Sequence, residues 1–164
     1  MVKWLDTDEP VKKEDIEHVE KEFGIRFPID YAEYAMQNHG GVPDPNYFDF
    51  EGRKGAVFER LLSYDETQPH YILKEYHWIK TRLPRKVYPI GSDPFGNYIC
   101  FSYRENESNP CIVFWDHEKT SPKTAISYVC DSFSELISKL YEADTGYVPK
   151  IVEIESGGLL NRLV

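Results

Sequence analysis

Residues 87–115 read VYPIGSDPFGNYICFSYRENESNPCIVFW, and they decide the fold. Val87 to Ile90, Tyr98 to Tyr103 and Cys111 to Trp115 are rich in β-branched and aromatic residues, the types that suit a pleated, half-buried surface. Turn residues stand between them: Gly91-Ser-Asp-Pro-Phe-Gly96, then Asn106 to Pro110. The reading is three consecutive strands, the last two forming a hairpin around Asn106. Mirror positions about that turn set Cys111 opposite Tyr103. A fourth strand is predicted at Ala125 to Val129.

The period changes on both sides of this block. Upstream, VKKEDIEHVEKEFG spaces Ile16, Val19 and Phe23 by three and four, as one face of an amphipathic helix requires, and Gly24 stands where a left-handed terminator belongs. A second short helix starts at Pro28 and turns Tyr31, Tyr34 and Ala35 inward until Asn38-His39-Gly40-Gly41 ends it. Residues 42–55 read as loop with one short strand, and 56–64 fit either strand or helix. Ile72, Leu73, Tyr76 and Ile79 predict a helix between His70 and Arg82, ended by Pro84. Downstream, Ser132-Phe-Ser-Glu135 is a capping box, with Phe133, Leu136, Ile137 and Leu140 as the buried stripe. Lys150 to Ile154 reads as one more edge strand. Helices at the N-terminus and near the C-terminus, around consecutive strands, give α+β: a single domain over residues 1–164 with a central, largely antiparallel sheet flanked by helices.

Composition narrows function. Of 164 residues, 41% are hydrophobic and 15% aromatic, which supports a packed core and excludes a disordered or fibrous chain. The net charge is −9, and residues 1–50 hold 12 acids against 5 bases. Phosphate binding needs Lys and Arg, so direct nucleic-acid and anionic-membrane partners are disfavoured, whereas a basic protein partner is allowed. The stretch Met1 to Lys13 has no apolar run of signal-peptide length, and nowhere do about 18 consecutive apolar residues occur. Cys100, Cys111 and Cys130 are odd in number and form no C-x-x-C. A cytoplasmic protein with free thiols is expected.

No reaction is written in the motifs. The five His residues give neither H-E-x-x-H nor finger spacing, and Asp116-His117-Glu118 would have to leave strand geometry to converge on an ion. Gly91 to Gly96 has phosphate-loop spacing but continues with Asn97 and Tyr98, without the Lys and hydroxyl that meet phosphate and magnesium. No Ser occupies G-x-S-x-G. No catalytic residue, metal or cofactor is assigned. The candidate site is a binding patch instead. In an antiparallel hairpin the turn after Ile90 and the turn after Phe114 fall at the same open end, so Asp93 and Asn97 approach Trp115, Asp116, His117 and Glu118. One reading is an aromatic anchor with an acidic rim, as in a protein-binding hot spot. The other is a polar turn in which Asp93 and Asn97 bond their own backbone.

Four segments, in order, resemble the SUKH superfamily, domains shared by a fungal regulator of cell-wall synthesis and many bacterial immunity proteins of polymorphic toxin systems. They are Ile16 to Ile25 with Phe27-Pro28-Ile-Asp30-Tyr31 and Asn38-His39-Gly40-Gly41; Leu83-Pro84 through Pro89 to Cys100; Val113-Phe114-Trp115-Asp116-His117-Glu118; and Asp131-Ser132-Phe133. The match runs with gaps from about residue 14 to 141 and fades over 42–82. The resemblance implies a single α+β domain that binds protein and carries no catalytic residues. By analogy it implies an immunity protein neutralising a cognate, basic toxin domain, such as a nuclease, by stoichiometric binding. A scaffold or regulatory module is the alternative. A small-molecule binder or hydrolase using Asp93, Asn97 and the Asp116 to Glu118 turn is the third class.

Overall fold

The computed structural model describes residues 1–143. In chain order its elements are β1 (Lys3–Leu5), α1 (Lys13–Phe23), α2 (Ile29–Asn38), β2 (Val42–Asp44), β3 (Tyr47–Phe50), β4 (Arg53–Val57), β5 (Arg60–Leu61) and α3 (Ile72–Ile79). There follow β6 (Val87–Ser92), β7 (Tyr98–Ser102), β8 (Cys111–Trp115), α4 (Pro122–Ala125), β9 (Ile126–Cys130) and α5 (Phe133–Lys139). The last five strands form one antiparallel sheet in the order β5-β6-β7-β8-β9. The chain is thus a single α+β domain, with helices at the N-terminus and near the described C-terminus. The strand expected at Lys150 to Ile154 lies outside the described residues.

All five residues of β7 are buried, so the sheet is covered on both faces at its centre. Ile99 pairs with Phe114 and Phe101 with Ile112, which puts Phe101 and Phe114 on one face. There Phe101 meets the rings of Phe27 and Tyr31 at 6.1 and 5.4 Å, and Phe114 meets Phe48 and Phe50 of β3 at 6.4 and 5.0 Å. Tyr31 also holds Phe133 of α5 edge to face at 5.4 Å, which ties the last helix to the second. On the opposite face Tyr98 and Trp115, themselves a register pair, reach the α3 side: the Tyr98 hydroxyl donates to Glu75, and the Arg82 guanidinium lies 5.1 Å over the Trp115 ring.

Gly24 ends α1 and Ser132 starts α5 as the sequence suggested, whereas α3 stops at Ile79, short of Pro84. Lys12 N–H donates to the Asp15 carboxylate at 2.9 Å, and Gly24 ends α1 at φ 77°. Ser132 Oγ accepts from Glu135 N–H at 3.1 Å. The reciprocal half of that capping box is displaced by one residue, because Glu135 Oε1 takes the N–H of Asp131 instead of Ser132.

Two expectations need correction. Residues 42–55 hold three strands, β2, β3 and β4, not one. They are short two-stranded pairings, β1 with β2 and β3 with β4, outside the main sheet. Pro43 is admissible because β2 is an edge strand. The hairpin register is also one residue off: Cys111 faces Ser102, not Tyr103. The connection runs from Tyr103 to Pro110, an even number of residues, so its mirror axis falls on the Asn106–Glu107 bond. Cys100 faces Val113, and all three thiols are free. Burial pushes the Cys100 thiol up and the Cys130 thiol up to about 12, so neither ionises near neutrality.

The Asn38-His39-Gly40-Gly41 stretch is a fastening. His39 has no solvent exposure. Its Nδ1 accepts the Tyr64 N–H at 2.9 Å, so Nε2 carries the proton and donates to the Glu9 carbonyl at 2.6 Å. Gly40, at φ 77°, lies so close to Asp8 that a Cβ would fall 2.2 Å from Oδ2. Ser63 Oγ donates to that same oxygen at 2.6 Å. Ser63, His39 and Asp8 therefore sit together without forming a nucleophile relay: the Ser proton goes to the carboxylate and the imidazole lone pair is already taken. His70 Nε2 also approaches Asp8 Oδ2, at 3.4 Å, without a directed hydrogen bond.

Two predictions follow from this packing. Ser132→Ala removes a formed cap and should cost about 1 kcal/mol in urea melts; an unchanged midpoint would mean the cap carries no stability. His70 is held below its ordinary value by burial and by Arg60, against the opposing pull of Asp8 and Glu75. The unfolded chain therefore binds the extra proton more readily, so stability should be full above about pH 6.5, fall as pH drops below it, and level off beneath the lowered value. The stability difference between wild type and His70→Asn should be constant above about pH 6.5 and shift against wild type below it; a difference constant throughout would show that His70 does not report on folding.

Candidate functional site

The sheet brings the two predicted turns together at its open end. Asp93 Oδ1 accepts the N–H groups of Phe95 and Asn97, each at 2.8 Å, and Oδ2 accepts Asn97 Nδ2 at 2.9 Å. Asn97 Oδ1 in turn accepts the backbone N–H of His117 at 2.9 Å and its Nδ1–H at 2.8 Å. Gly96, at φ 92°, leaves room for the His117 ring, whose Cε1 would lie 3.2 Å from any Cβ there. The juxtaposition of Asp93 and Asn97 with Asp116, His117 and Glu118 is thus present.

Its chemistry differs from the exposed reading. Asp93 and Asn97 are only 4% and 5% exposed and bond their own turn, so they form the floor of this end and not an acidic rim. Trp115 is 1% exposed. It cannot act as a surface anchor, because the Arg82 guanidinium lies over its ring while Arg82 Nη1 donates to the His117 carbonyl at 3.3 Å. Asp116 is half-buried, with Oδ1 accepting the Glu118 N–H at 2.9 Å, and Glu118 is exposed. His117 Nδ1 points to Asn97 and the Asp116 carboxylate to its own turn, so the three consecutive side chains do not converge. Among the described residues no group of His, Cys, Asp and Glu side chains is arranged to hold a metal ion.

Sequence reasoning passed over two features. The exposed aromatic on the Asp93–Asn97 turn is Phe95, and Trp78 is exposed on α3. Trp78 lies off the Ile72, Leu73, Ile79 stripe, so the helical period could have marked it as outward-facing. The second feature is a groove of about 490 Å³ between α1 and residues 64–71. Val11, Val19, Tyr64 and Tyr71 wall it; Glu9, Asp15, Asp65 and Glu66 bring carboxylates, with His18 beside them and no Lys or Arg in the lining. Burial first, then Glu66 and Glu22, push the Tyr71 hydroxyl up. The carboxylates come from three separate stretches of chain, which the fold alone assembles.

Asn97→Ala leaves Asp93 Oδ2 and both the backbone and ring N–H of His117 without the partner they share. It should cost about 1–3 kcal/mol in denaturant melts, and an effect below about 0.5 kcal/mol would show that the two turns hold their places without it.

Known proteins bear on this arrangement. A SPbeta prophage-derived uncharacterized protein, YokK, of Bacillus subtilis (strain 168) is 36% identical over 61 residues, an alignment covering 37% of this chain and 30% of that protein's length. The model of the SMI1 / KNR4 family (SUKH-1) matches residues 10–139, a span that takes in α1, His39, the groove lining apart from Glu9, and the open end of the sheet. That match supports a protein-interaction or immunity-type role in general. No helix among the described residues is long and apolar enough to cross a membrane. The four motifs noted in the sequence fall almost wholly inside the matched span, and the chain belongs to the SMI1/KNR4 family (SUKH-1).

Proposed function

We propose that this chain is an immunity-type protein that neutralises a cognate toxin domain by stoichiometric, non-catalytic binding in the cytoplasm. The observation that carries the reading is the acidic groove: four carboxylates, apolar walls and no cation in the lining. Glu14 and Glu22 add exposed carboxylates on α1, where Lys13 pairs with Glu17 at 3.8 Å. A toxin that acts on nucleic acid needs Lys and Arg to hold phosphates, so a nuclease domain presents the complementary surface. Asp116, His117 and Glu118 are the second contact in this reading. Asp93, Asn97 and Trp115 act from beneath them, by fixing the turns.

The test uses any toxin domain that a neighbouring gene encodes. Toxin activity titrated with the chain should vanish at one equivalent. Glu66→Lys should slow association about tenfold at low salt and much less at high salt, as expected for an exposed steering charge. Glu118→Lys reads the open end in the same way. Suppression well below one equivalent would make the chain a catalyst, and full toxin activity at excess chain would remove the immunity role. Unchanged kinetics in both variants would move the interface elsewhere.

A further inference from the structure

Ile29, in the first turn of α2, is 74% exposed, more than any other branched aliphatic side chain among the described residues. It does not stand alone. Ala32 and Met36, both half-buried, follow at the spacing that sets them on the same side of the helix, while another side buries Tyr31 and Ala35. Ile29 is also a ridge between two hollows. One, of about 900 Å³, opens between the 24–29 link, the start of β6 and the hairpin loop, with Ile25, Pro28 and Tyr88 among its walls. The other, of about 110 Å³, lies between α1 and α2 against Ile16, Ala32 and Met36. Glu20, Arg26, Phe27 and Ile29 line both and form the divide. Charge is split across this ridge. The larger hollow carries Lys21, Arg26 and Lys86; Lys86 is paired with Glu107 at 2.7 Å, whereas Arg26 is exposed, with only Nε near the buried Glu20 at 3.8 Å. On the helix side Asp30 is tied to Ser134, and Glu33 is exposed with no ion-pair partner among the described residues.

We infer that this patch is a contact between two copies of the chain, closed by a twofold axis beside Ile29. Each Ile29 seats in the larger hollow of the other copy, against Ile25, Pro28 and Tyr88. The axis runs the two 26–36 segments antiparallel. Arg26, three residues before Ile29, therefore meets the other copy's Glu33, four residues after it. Ridge, hollow and both charges lie within one patch, which is the condition for an isologous pair that stops at two. An aliphatic knob in a ring-walled hollow, with opposite charges at its edge, is the make-up of an interface centre. The acidic groove proposed for the toxin shares no lining residue with either hollow, so the pair leaves both acidic grooves open. The net charge of −9 on each copy opposes pairing only weakly at physiological salt, where charges beyond about 8 Å are screened.

The inference needs only this chain, so its failure would leave the toxin reading as it stands. Sedimentation equilibrium of the full chain from micromolar to millimolar should show the average mass rising from 19.2 kDa to twice that value and no further. Ile29→Asp should stay monomeric with an unchanged melting temperature, because the site is exposed and an acid suits a helix start. Arg26→Glu and Glu33→Lys should each weaken pairing about tenfold, since each sets like charges together twice in the pair. Mixed in equal amounts, these two variants restore opposite charges at both contacts and should pair as tightly as wild type. Glu33 makes no hydrogen bond among the described side chains, so Glu33→Lys reads the contact even if Arg26→Glu, beside the buried Glu20, lowers the melting temperature. Wild type that stays monomeric at millimolar concentration overturns the inference. So does Ile29→Asp that associates like wild type, a mixture of the two folded variants that pairs no better than either alone, or a mass that climbs past the pair.

Discussion

Both ring nitrogens of His39 are bonded to backbone, one to the Glu9 carbonyl and one to the Tyr64 N–H, in a site closed to solvent. No other side chain could accept at one edge and donate at the other with this shape and no net charge. The end of α2, the segment before α1 and the segment after β5 are therefore joined at one point. Gly40 N–H and Gly41 carbonyl extend the joint, donating to and accepting from Leu61 at 3.0 and 2.9 Å. Loss of the imidazole would leave a buried donor and a buried acceptor without partners, the costliest kind of polar change. The joint also sets the acidic groove, since Glu9 and Tyr64 both line it. A residue with no surface of its own thus fixes the spacing of the surface proposed for binding.

The periodic parts of the sequence were legible because their period is imposed by burial. Three strands in the 87–115 block and the stripe of α5 are deep in the core, and each alternate or third-and-fourth residue had to be apolar. Strands β2 to β4 were not legible: they are three to five residues long, β2 holds Pro43 and β4 holds Gly55, most of their residues are only partly buried, and their partners are local. The hairpin register slipped by one because a turn residue marks a loop without fixing its length parity. At the site, the meeting of the two turns followed from strand direction alone, and Asn97 bonding to His117 agrees with it. The sequence leaves Trp115 as a candidate anchor beside a half-buried reading because nothing near it in sequence covers it. Its cover, Arg82, stands 33 positions earlier. The groove was hidden for the same reason, its carboxylates being drawn from residues 9, 15 and 65–66.

Charge is sorted in this molecule more sharply than its composition suggests. Glu20 illustrates the interior rule: it is 8% exposed, and its Oε2 accepts the Phe27 N–H at 2.7 Å, so a buried acid is used to turn the chain between α1 and α2. On α1 the exposed acids Glu14, Asp15, Glu17 and Glu22 stand among Lys13 and Lys21, and residues 74–86 hold five cations against Glu75 alone. Fold and surface are separable here, because the core is built from aromatic edge-to-face contacts that tolerate any charge on the outer positions of α1 and α3.

The first strand gives the molecule a seam. β1 pairs only with β2, through three residue pairs, and Trp4 joins the core at its margin against Tyr34 and Phe58. The five-stranded sheet can stay intact while this end opens, so amide protons of β1 and β2 exchange through a local opening and those of β7 only through global unfolding. Val11 N–H to the Met36 carbonyl, at 3.0 Å, lies on the seam beside the groove. A molecule bound in the groove therefore stabilises the opening unit by mass action and slows exchange there first. Occupancy becomes visible in single amides near residue 11 at concentrations where the melting temperature of the whole chain has not yet moved.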